Sequence, residues 1–407
     1  MVVLPVQGES LRLSRPAYPA AKRGSDSQRW RGQSWAGLTT STLSRRQRNF
    51  AVPGACSVAC GVVVGAVAAR SSRKGRRAWL PSLREASART ALRAELAGIQ
   101  EGRKLELFSP AKINLFLRIV RRRPDGYHDL ASLFQAVAFG DTLELELLPE
   151  SAESDLLECN LPGVPVDESN LVIRAFNLFR KMSGVQRFFR AQLRKRIPAQ
   201  AGMGGGSSNA AAAFFGANEL CGRPGSPEDL IRWTEDPVIG SDATFFLSEG
   251  TAYCTGRGEI ITPVAPLPVP KDLAVVLVKP RTGLSTPKVF KALDISAVSP
   301  LDPEDLLQKF QTEGVAHKDF VNDLEPPAFE VCPELGELKD FLSDPKWGFQ
   351  AVMMSGSGTT IFGIGAPTGG LTGLEAAVRE SFDIEGVWQT TLMRRPSPQE
   401  WYTAPEV

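Results

Sequence analysis

Histidine is almost missing from this sequence: only His128 and His317 occur in 407 residues. The six cysteines, Cys56, Cys60, Cys159, Cys221, Cys254 and Cys332, include no C-x-x-C pair. That leaves too few clustered ligands for a zinc site built from His and Cys. Scattered thiols in a chain this long read as buried residues of a reducing compartment and not as a disulfide frame. Acids are scarce at the start, where the first 104 residues hold 19 Lys/Arg against 5 Asp/Glu, although the whole chain carries a net charge of only +2. The remainder, with 28 against 40, is acidic and lacks the basic face that nucleic-acid binding requires. No internal repeat is present. At 43% hydrophobic residues, the chain can bury a substantial core in two or three domains.

Residues 1–103 are rich in Arg, Ser and Ala and show neither helical nor strand periodicity, the composition of an organelle-targeting leader removed after import. Within them, Ala51–Ala69 is an apolar run flanked by Arg45, Arg46 and Arg48 before it and by Arg70, Arg73 and Lys74 after it. Its Gly, Ala, Ser and Cys make it weakly hydrophobic for a bilayer span. A two-stage plastid leader, a simple transit peptide and a retained anchor are all open, the first being favoured. The expectation is a plastid protein whose mature form is not membrane-bound.

The folded body starts near Lys104. Leu105–Val120 alternates as a half-buried strand does, a Pro/Gly loop follows, and Asp141–Leu148 repeats the strand pattern. Asn170 reads as the N-cap of a helix with Leu171, Ala175, Leu178 and Met182 on one stripe. Ala191–Ile197 reads as a strand feeding a glycine loop, and Asn209–Cys221 as an alanine-rich helix closed by Gly222 and Pro224. Proline-rich Thr262–Asp272 looks like an inter-domain linker. Beyond it lie a buried strand at Leu273–Pro280, a helix at Glu334–Leu342 and a strand–turn–strand at Ala351–Gly365. Strands mixed with helices in both halves give an α+β or α/β body of two domains.

The segment Ile197–Phe215 (IPAQAGMGGGSSNAAAAFF) says most about function. Its glycines remove Cβ atoms where the chain must curl around a ligand. The helix that follows offers unsatisfied N–H groups and a positive dipole end to a polyphosphate. The Lys of the usual P-loop is missing, and the match to the dinucleotide fingerprint is weak. Two charges sit where patterning would not place them. Asp242 lies between Gly240 and an apolar run, as a turn or N-cap aspartate or as a general base. Lys112 lies inside an apolar strand with Asn114 on the same face, either snorkelling to the surface or buried against a partner such as Asp242. The pair Tyr127-His128, after Asp125-Gly126, is a packed turn or a ligand contact.

Seven segments in order resemble the GHMP kinases, the family of galactokinase, homoserine kinase and mevalonate kinase. They are SPAKINLFL (Ser109–Leu117), RPDGYHDLASLFQ (Arg123–Gln135), AGMGGGSSNAAA (Ala201–Ala212), IGSDATFFL (Ile239–Leu247), GTAYCTGRGE (Gly250–Glu259), NDLEPPAFE (Asn322–Glu330) and MSGSGTTIFG (Met354–Gly363). They cover essentially everything after the leader. Met203 stands where Leu is common, and Ala243-Thr244 where a Val/Ile-Pro pair is common.

The resemblance implies an α+β fold: an ATP-binding domain over 104–264 like the second domain of ribosomal protein S5, a ferredoxin-like domain over 265–396, and a tail over 397–407. It implies ATP and Mg²⁺ held by Pro198, Ala201, Gly202, Met203, Gly204, Gly205, Gly206, Ser207, Ser208 and Asn209, with Ser207 or Ser208 as the protein's contribution to the metal. Asp242 becomes the base toward an acceptor hydroxyl, and Lys112 the cation that keeps it ionised. Within the family the likeness is to a branch acting on a cytidylated polyol. There Tyr127 stacks on the cytosine, His128 bonds its edge, Phe290 closes the other face, and Thr286 and Asn114 lie nearby. The Gly356/Gly358 turn is either a plain hairpin turn or a cover over the phosphates. A mevalonate- or homoserine-type kinase would not need the Gly126-Tyr127-His128 loop or Phe290. A silent nucleotide-binding member would not need Asp242 and Lys112. The implied partner is a small molecule, with no nucleic acid.

Overall fold

The strand expected over Leu105–Val120 is β1 (Lys104–Arg122) in the computed structural model, which describes residues 102–405, but residues 107–119 are buried without a break and not on one face alone. β2 (His128–Leu147) returns antiparallel along its whole length, from Arg122 opposite His128 to Lys104 opposite Glu146. The sequence suggested a strand only from Asp141. The first half of β2 stayed hidden because residues 131–137 are buried without a break, so no polar alternation marks them. The leader over 1–103 and its apolar run at 51–69 lie outside the described residues, apart from the last two of them.

There follow β3 (Leu156–Cys159), α1 (Leu171–Ser183), β4 (Phe189–Arg194), α2 (Gly205–Leu220), α3 (Pro227–Thr234), α4 (Ala243–Leu247), β5 (Thr251–Gly256) and β6 (Ile260–Pro263). The strands form a six-stranded sheet in the order β3-β4-β2-β5-β6, with β1 on the other edge of β2. β4 and β5 divide one edge of β2, pairing with Thr142–Leu147 and Leu130–Gln135 respectively.

Asn170 caps α1, its side chain accepting from Val172 N at 2.9 Å. Of the expected stripe, Ala175 and Leu178 are buried and Met182 is exposed, and the buried face extends through Val172, Phe176 and Phe179. α2 begins four residues before the expected Asn209, at Gly205. Its alanines Ala210–Ala213 are wholly buried, and a Cβ on Gly216 would stand 2.4 Å from Leu145 Cδ1. Small residues therefore let this helix sit tightly against the sheet, where Phe176, Phe179 and Phe214 meet Leu143 and Leu145 in one core.

The second sheet is built from β7 (Ala274–Pro280), α5 (Thr286–Ala292), α6 (Pro303–Glu313), α7 (Glu325–Val331), α8 (Pro333–Ser343), β8 (Ala351–Met354), β9 (Ile361–Ile364), α9 (Gly370–Ser381) and β10 (Ile384–Thr391). Its four antiparallel strands run β10-β7-β9-β8, the order of a ferredoxin-like domain. The proline-rich connection does join the two sheets, but it is no free linker. Val264 and Leu267 are buried in a core shared by Ile113, Leu115 and Phe116 of one sheet and Val275, Leu277 and Phe362 of the other.

After β10 the chain returns to the first sheet. Met393 N donates to Ala136 O at 2.9 Å, and the Trp401 indole donates to Phe108 O at 2.6 Å while its ring lies 4.8 Å from that of Phe215. The expected tail over 397–407 is thus anchored, Trp401 and Tyr402 both being buried. Trp401→Phe keeps most of the packing and strands the Phe108 carbonyl. A loss of about 1–3 kcal/mol is expected, read as a lower midpoint in urea unfolding.

Candidate active site

Between β4 and α2 the chain makes the glycine loop. Gly202 (φ +72°) and Gly204 (φ +68°) are left-handed, and Gly204 is the N-cap of α2 without any side-chain cap bond. Hydrogen bonds from other segments hang the loop in place. Lys112 N donates to Met203 O (3.0 Å), Thr360 N to Ala201 O (3.2 Å) and Ser355 Oγ to Gly202 O (3.0 Å). Ser355 and Thr360 belong to the Gly/Ser turn of the second sheet. That turn is therefore both a hairpin turn, between β8 and β9, and a cover pressed onto the glycine loop.

A cavity of about 480 Å³ opens on the loop, lined by Pro198, Ala201, Gly202 and Met203, then by Gly204, Gly205, Gly206, Ser207 and Asn209. Val164, Leu171 and Lys195 close its far side. The uncapped first-turn amides of α2 give this cavity the donor set and dipole of a polyphosphate site. Ser208 is the exception among the expected residues. It is fully buried, and its hydroxyl is 2.9 Å from that of Ser109 in β1, so Ser207 alone of the two serines reaches the cavity. A Cβ at Gly202 would meet the Ser355 carbonyl oxygen at 2.1 Å. Left-handed alanine alone costs about 1–2 kcal/mol. Gly202→Ala is accordingly expected to raise the KM for ATP by roughly tenfold or more, measured from initial rates against ATP concentration.

Sequence reasoning missed what holds the loop from below. Asp141 is fully buried at the bend of β2. It accepts from Arg196 N (2.7 Å), Ile197 N (2.8 Å) and Asn209 Nδ2 (2.8 Å), and pairs with Lys195. Asn209 also donates to Ser109 Oγ (3.0 Å) and accepts from Lys195 Nζ (3.1 Å). One aspartate thus fixes the strand that enters the loop and the helix that leaves it. Only the basic run Arg194–Arg196 just before the loop hinted at this.

Lys112 is 4% exposed, which rules out a snorkelling side chain. Its Nζ lies 3.5 Å from Asp242 Oδ2, donates to Asn114 Oδ1 at 2.8 Å and sits 4.3 Å from the centre of the Phe134 ring. Asn114 in turn donates to Ser132 Oγ at 2.9 Å, which fixes its amide. Asp242 occupies the N-cap position of α4 but makes no cap bond, so its carboxylate is free to serve Lys112 and a ligand. The pair stands next to the glycine loop: a Cβ on Gly204 would be 3.1 Å from Lys112 Cγ, and one on Gly240 would be 2.4 Å from Ser207 Oγ. Burial beside Asp242 drives the Cys254 thiol well above its usual range, so it stays neutral and inert.

Of the residues that the resemblance assigns to a base, His128 lies on β2, and Thr286 and Phe290 lie on α5. His128, at the start of β2, stacks on Phe290 of α5 with ring centres 5.4 Å apart. Burial and the nearby Arg122 charge lower the His128 pKa, leaving a neutral ring at pH 7. Thr286 bonds the Ser357 hydroxyl at 2.7 Å, tying α5 to the Gly/Ser turn. Tyr127 is exposed, with the Arg257 guanidinium 5.0 Å from its ring centre.

Comparison with known proteins agrees with this geometry. The GHMP kinases N terminal domain family matches residues 170–250, and the GHMP kinases C terminal family residues 305–384. A rice protein named 4-diphosphocytidyl-2-C-methyl-D-erythritol kinase, chloroplastic, is 51% identical over 265 residues, 65% of this chain and 65% of its own length. The chain therefore spans a little under two thirds of that relative. A tomato protein of the same name, chloroplastic/chromoplastic, is 44% identical over 305 residues, 74% of each chain. A crystal structure of 4-(cytidine 5'-diphospho)-2C-methyl-D-erythritol kinase superposes with a TM-score of 0.58 at 31% identity, covering 71% of this chain and 99% of that one. With both family domains matched and a relative 44% identical covered over 74% of its length, this chain belongs to the GHMP kinase family.

Proposed function

We propose that this chain transfers the γ-phosphoryl group of ATP to the 2-hydroxyl of 4-diphosphocytidyl-2-C-methyl-D-erythritol, within a plastid, on the methylerythritol phosphate route to isoprenoid precursors. The observation that carries the chemistry is the buried Lys112, 3.5 Å from Asp242 beside the glycine loop. The α2 amides and loop N–H groups hold the phosphate tail. Asp242 accepts the proton of the acceptor hydroxyl as its oxygen attacks the γ-phosphorus in line. Lys112, fixed by Asn114, keeps Asp242 ionised and offsets charge on the transferring group. Among the described residues no cluster of His, Cys, Asp or Glu could hold a metal alone. Mg²⁺ would accordingly be held chiefly by phosphate oxygens with the Ser207 hydroxyl, and would supply charge neutralisation there.

A neutral His128 presents one donor and one acceptor nitrogen, which suits the cytosine edge. Its stack on Phe290 would open to admit the base, with Tyr127 and Phe290 covering the ring faces and Thr286 beside them. We assign 104–264 to the ATP domain, 265–396 to the second domain and 397–407 to the tail. The printed names of the rice and tomato relatives and the acid-poor leader support plastid import. Among the described residues no helix is long and apolar enough to cross a membrane.

The test incubates the full chain with ATP and the cytidylated erythritol, and in parallel with mevalonate, homoserine and the free polyol. ADP should form, and phosphorus NMR should show a new phosphomonoester, with the cytidylated substrate alone. Comparable turnover of mevalonate or homoserine would overturn the substrate assignment.

A further inference from the structure

The β5–β6 turn, Gly256–Glu259, lies between the two halves of the proposed site. On one side, Gly256 pairs with Leu130, two residues past His128, and the Arg257 guanidinium lies 5.0 Å from the centre of the Tyr127 ring. The Asp125 carboxyl is held below its usual range chiefly by its hydrogen bonds from Arg123, with a small contribution from the Arg257 charge. On the other side, a Cβ on Gly258 (φ +115°) would stand 3.7 Å from Asp242 Oδ1 and 3.7 Å from the Phe134 ring. One short turn therefore touches the loop assigned to the base and the carboxylate assigned to the acceptor hydroxyl.

Glu259 shapes that turn more than it neutralises it. Its Oε2 accepts from Arg257 N at 2.6 Å, whereas its Oε1 is 3.8 Å from Arg257 Nε, beyond hydrogen-bond range. The guanidinium keeps about a third of its side-chain surface in solvent and has donors to spare. A substrate whose cytosine lies at Tyr127-His128-Phe290 and whose hydroxyl lies at Asp242 must run its diphosphate along this turn.

We propose that Arg257 binds the diphosphate of the acceptor substrate. It exchanges its contact with the Tyr127 face for a forked, charge-assisted contact to phosphate oxygens, and so selects a nucleoside-diphosphate ester over a free polyol. This rests on the proposed cytidylated substrate and adds the residue that reads its charged middle.

Full-length wild type, Arg257→Gln and Arg257→Lys are compared by kinetics and by calorimetric binding of cytidine 5'-diphosphate and of cytidine. Arg257→Gln should raise the KM for the cytidylated substrate and the Kd for the diphosphate by about tenfold to a hundredfold. The Kd for cytidine and the KM for ATP should stay near wild type, and Arg257→Lys should recover part of the loss. Equal weakening of cytidine and its diphosphate would overturn the proposal, because Arg257 would then only support Tyr127. Unchanged diphosphate binding would overturn it as well. Should wild type bind the diphosphate more tightly than cytidine yet fail to phosphorylate the cytidylated alcohol, the substrate reading falls while the role of Arg257 is still decided by the binding arms. Wild type binding neither compound overturns both.

Discussion

Asp242→Asn is expected to lower kcat by about 10²- to 10⁴-fold while nucleotide binding and the unfolding midpoint stay close to wild type. The asparagine amide keeps the shape of the carboxylate and cannot take the proton of an attacking hydroxyl. Folding should be spared because the Asp242 side chain caps nothing: α4 starts at Ala243 without a side-chain bond from it, and its hydrogen bond is with the neighbouring Ser241, at 3.1 Å. Lys112 keeps Asn114 Oδ1 at 2.8 Å and the Phe134 ring, so it stays in place when its carboxylate goes. Steady-state rates with saturating ATP, calorimetric ATP binding and thermal unfolding on the same preparation separate the outcomes. A variant that turns over like wild type would remove Asp242 as the base. One that loses ATP binding in step with kcat would make it a nucleotide ligand instead.

That pair could be found in the sequence because each charge interrupts an apolar run, Lys112 between Ala111 and Ile113 and Asp242 just ahead of Ala243. α8 was equally legible from its helical period, which buries Leu335, Leu338 and Leu342, and β7 from a short unbroken apolar run that is buried at every position. Local pattern fails where partners are remote. Asp141 reads as a strand-edge turn residue, and its role appears only when Lys195, 54 positions on, and Asn209, 68 positions on, fold back over it. Ser355 reaches the Gly202 carbonyl across 153 positions, and Trp401 reaches Phe108 across 293. The expected roles of Ser207 and Ser208 were alike for the same reason. Which hydroxyl faces the ligand depends on Ser109, which takes Ser208 into the core. Helix α1 shows a milder form of the problem: its buried face keeps Ala175 and Leu178 of the expected stripe and widens to Val172, Phe176 and Phe179.

Asp323→Ala should be the most destabilising of the changes considered, at about 3–5 kcal/mol, because the aspartate locks the strand carrying Lys112 to the second sheet's domain. The far half of β1 is gripped by residues 321–323: Leu117 N donates to Val321 O at 2.8 Å, and Asp323 N to Leu117 O at 2.9 Å. The Asp323 side chain accepts from Ile119 N (2.7 Å) and Arg118 Nε (2.9 Å), both out of water, and from the part-buried Ser299 N (3.0 Å). Removing the carboxylate leaves Arg118 buried with its charge met only by the Ser299 and Leu301 carbonyls, and leaves two backbone donors without an acceptor. Arg118→Met with Asp323→Leu removes both charges at once and should recover much of the loss, since the cost lies in the uncompensated cation more than in the missing attraction. Urea unfolding of the two single variants and the double variant measures this directly. A single Asp323→Ala variant within 1 kcal/mol of wild type would mean the pair does not hold the domains together. If the lock is real, the single variant should also lose turnover at temperatures below its unfolding midpoint. Lys112 and Asn114 lie on the same strand as Arg118, and any slippage of β1 against the second domain draws them away from Asp242.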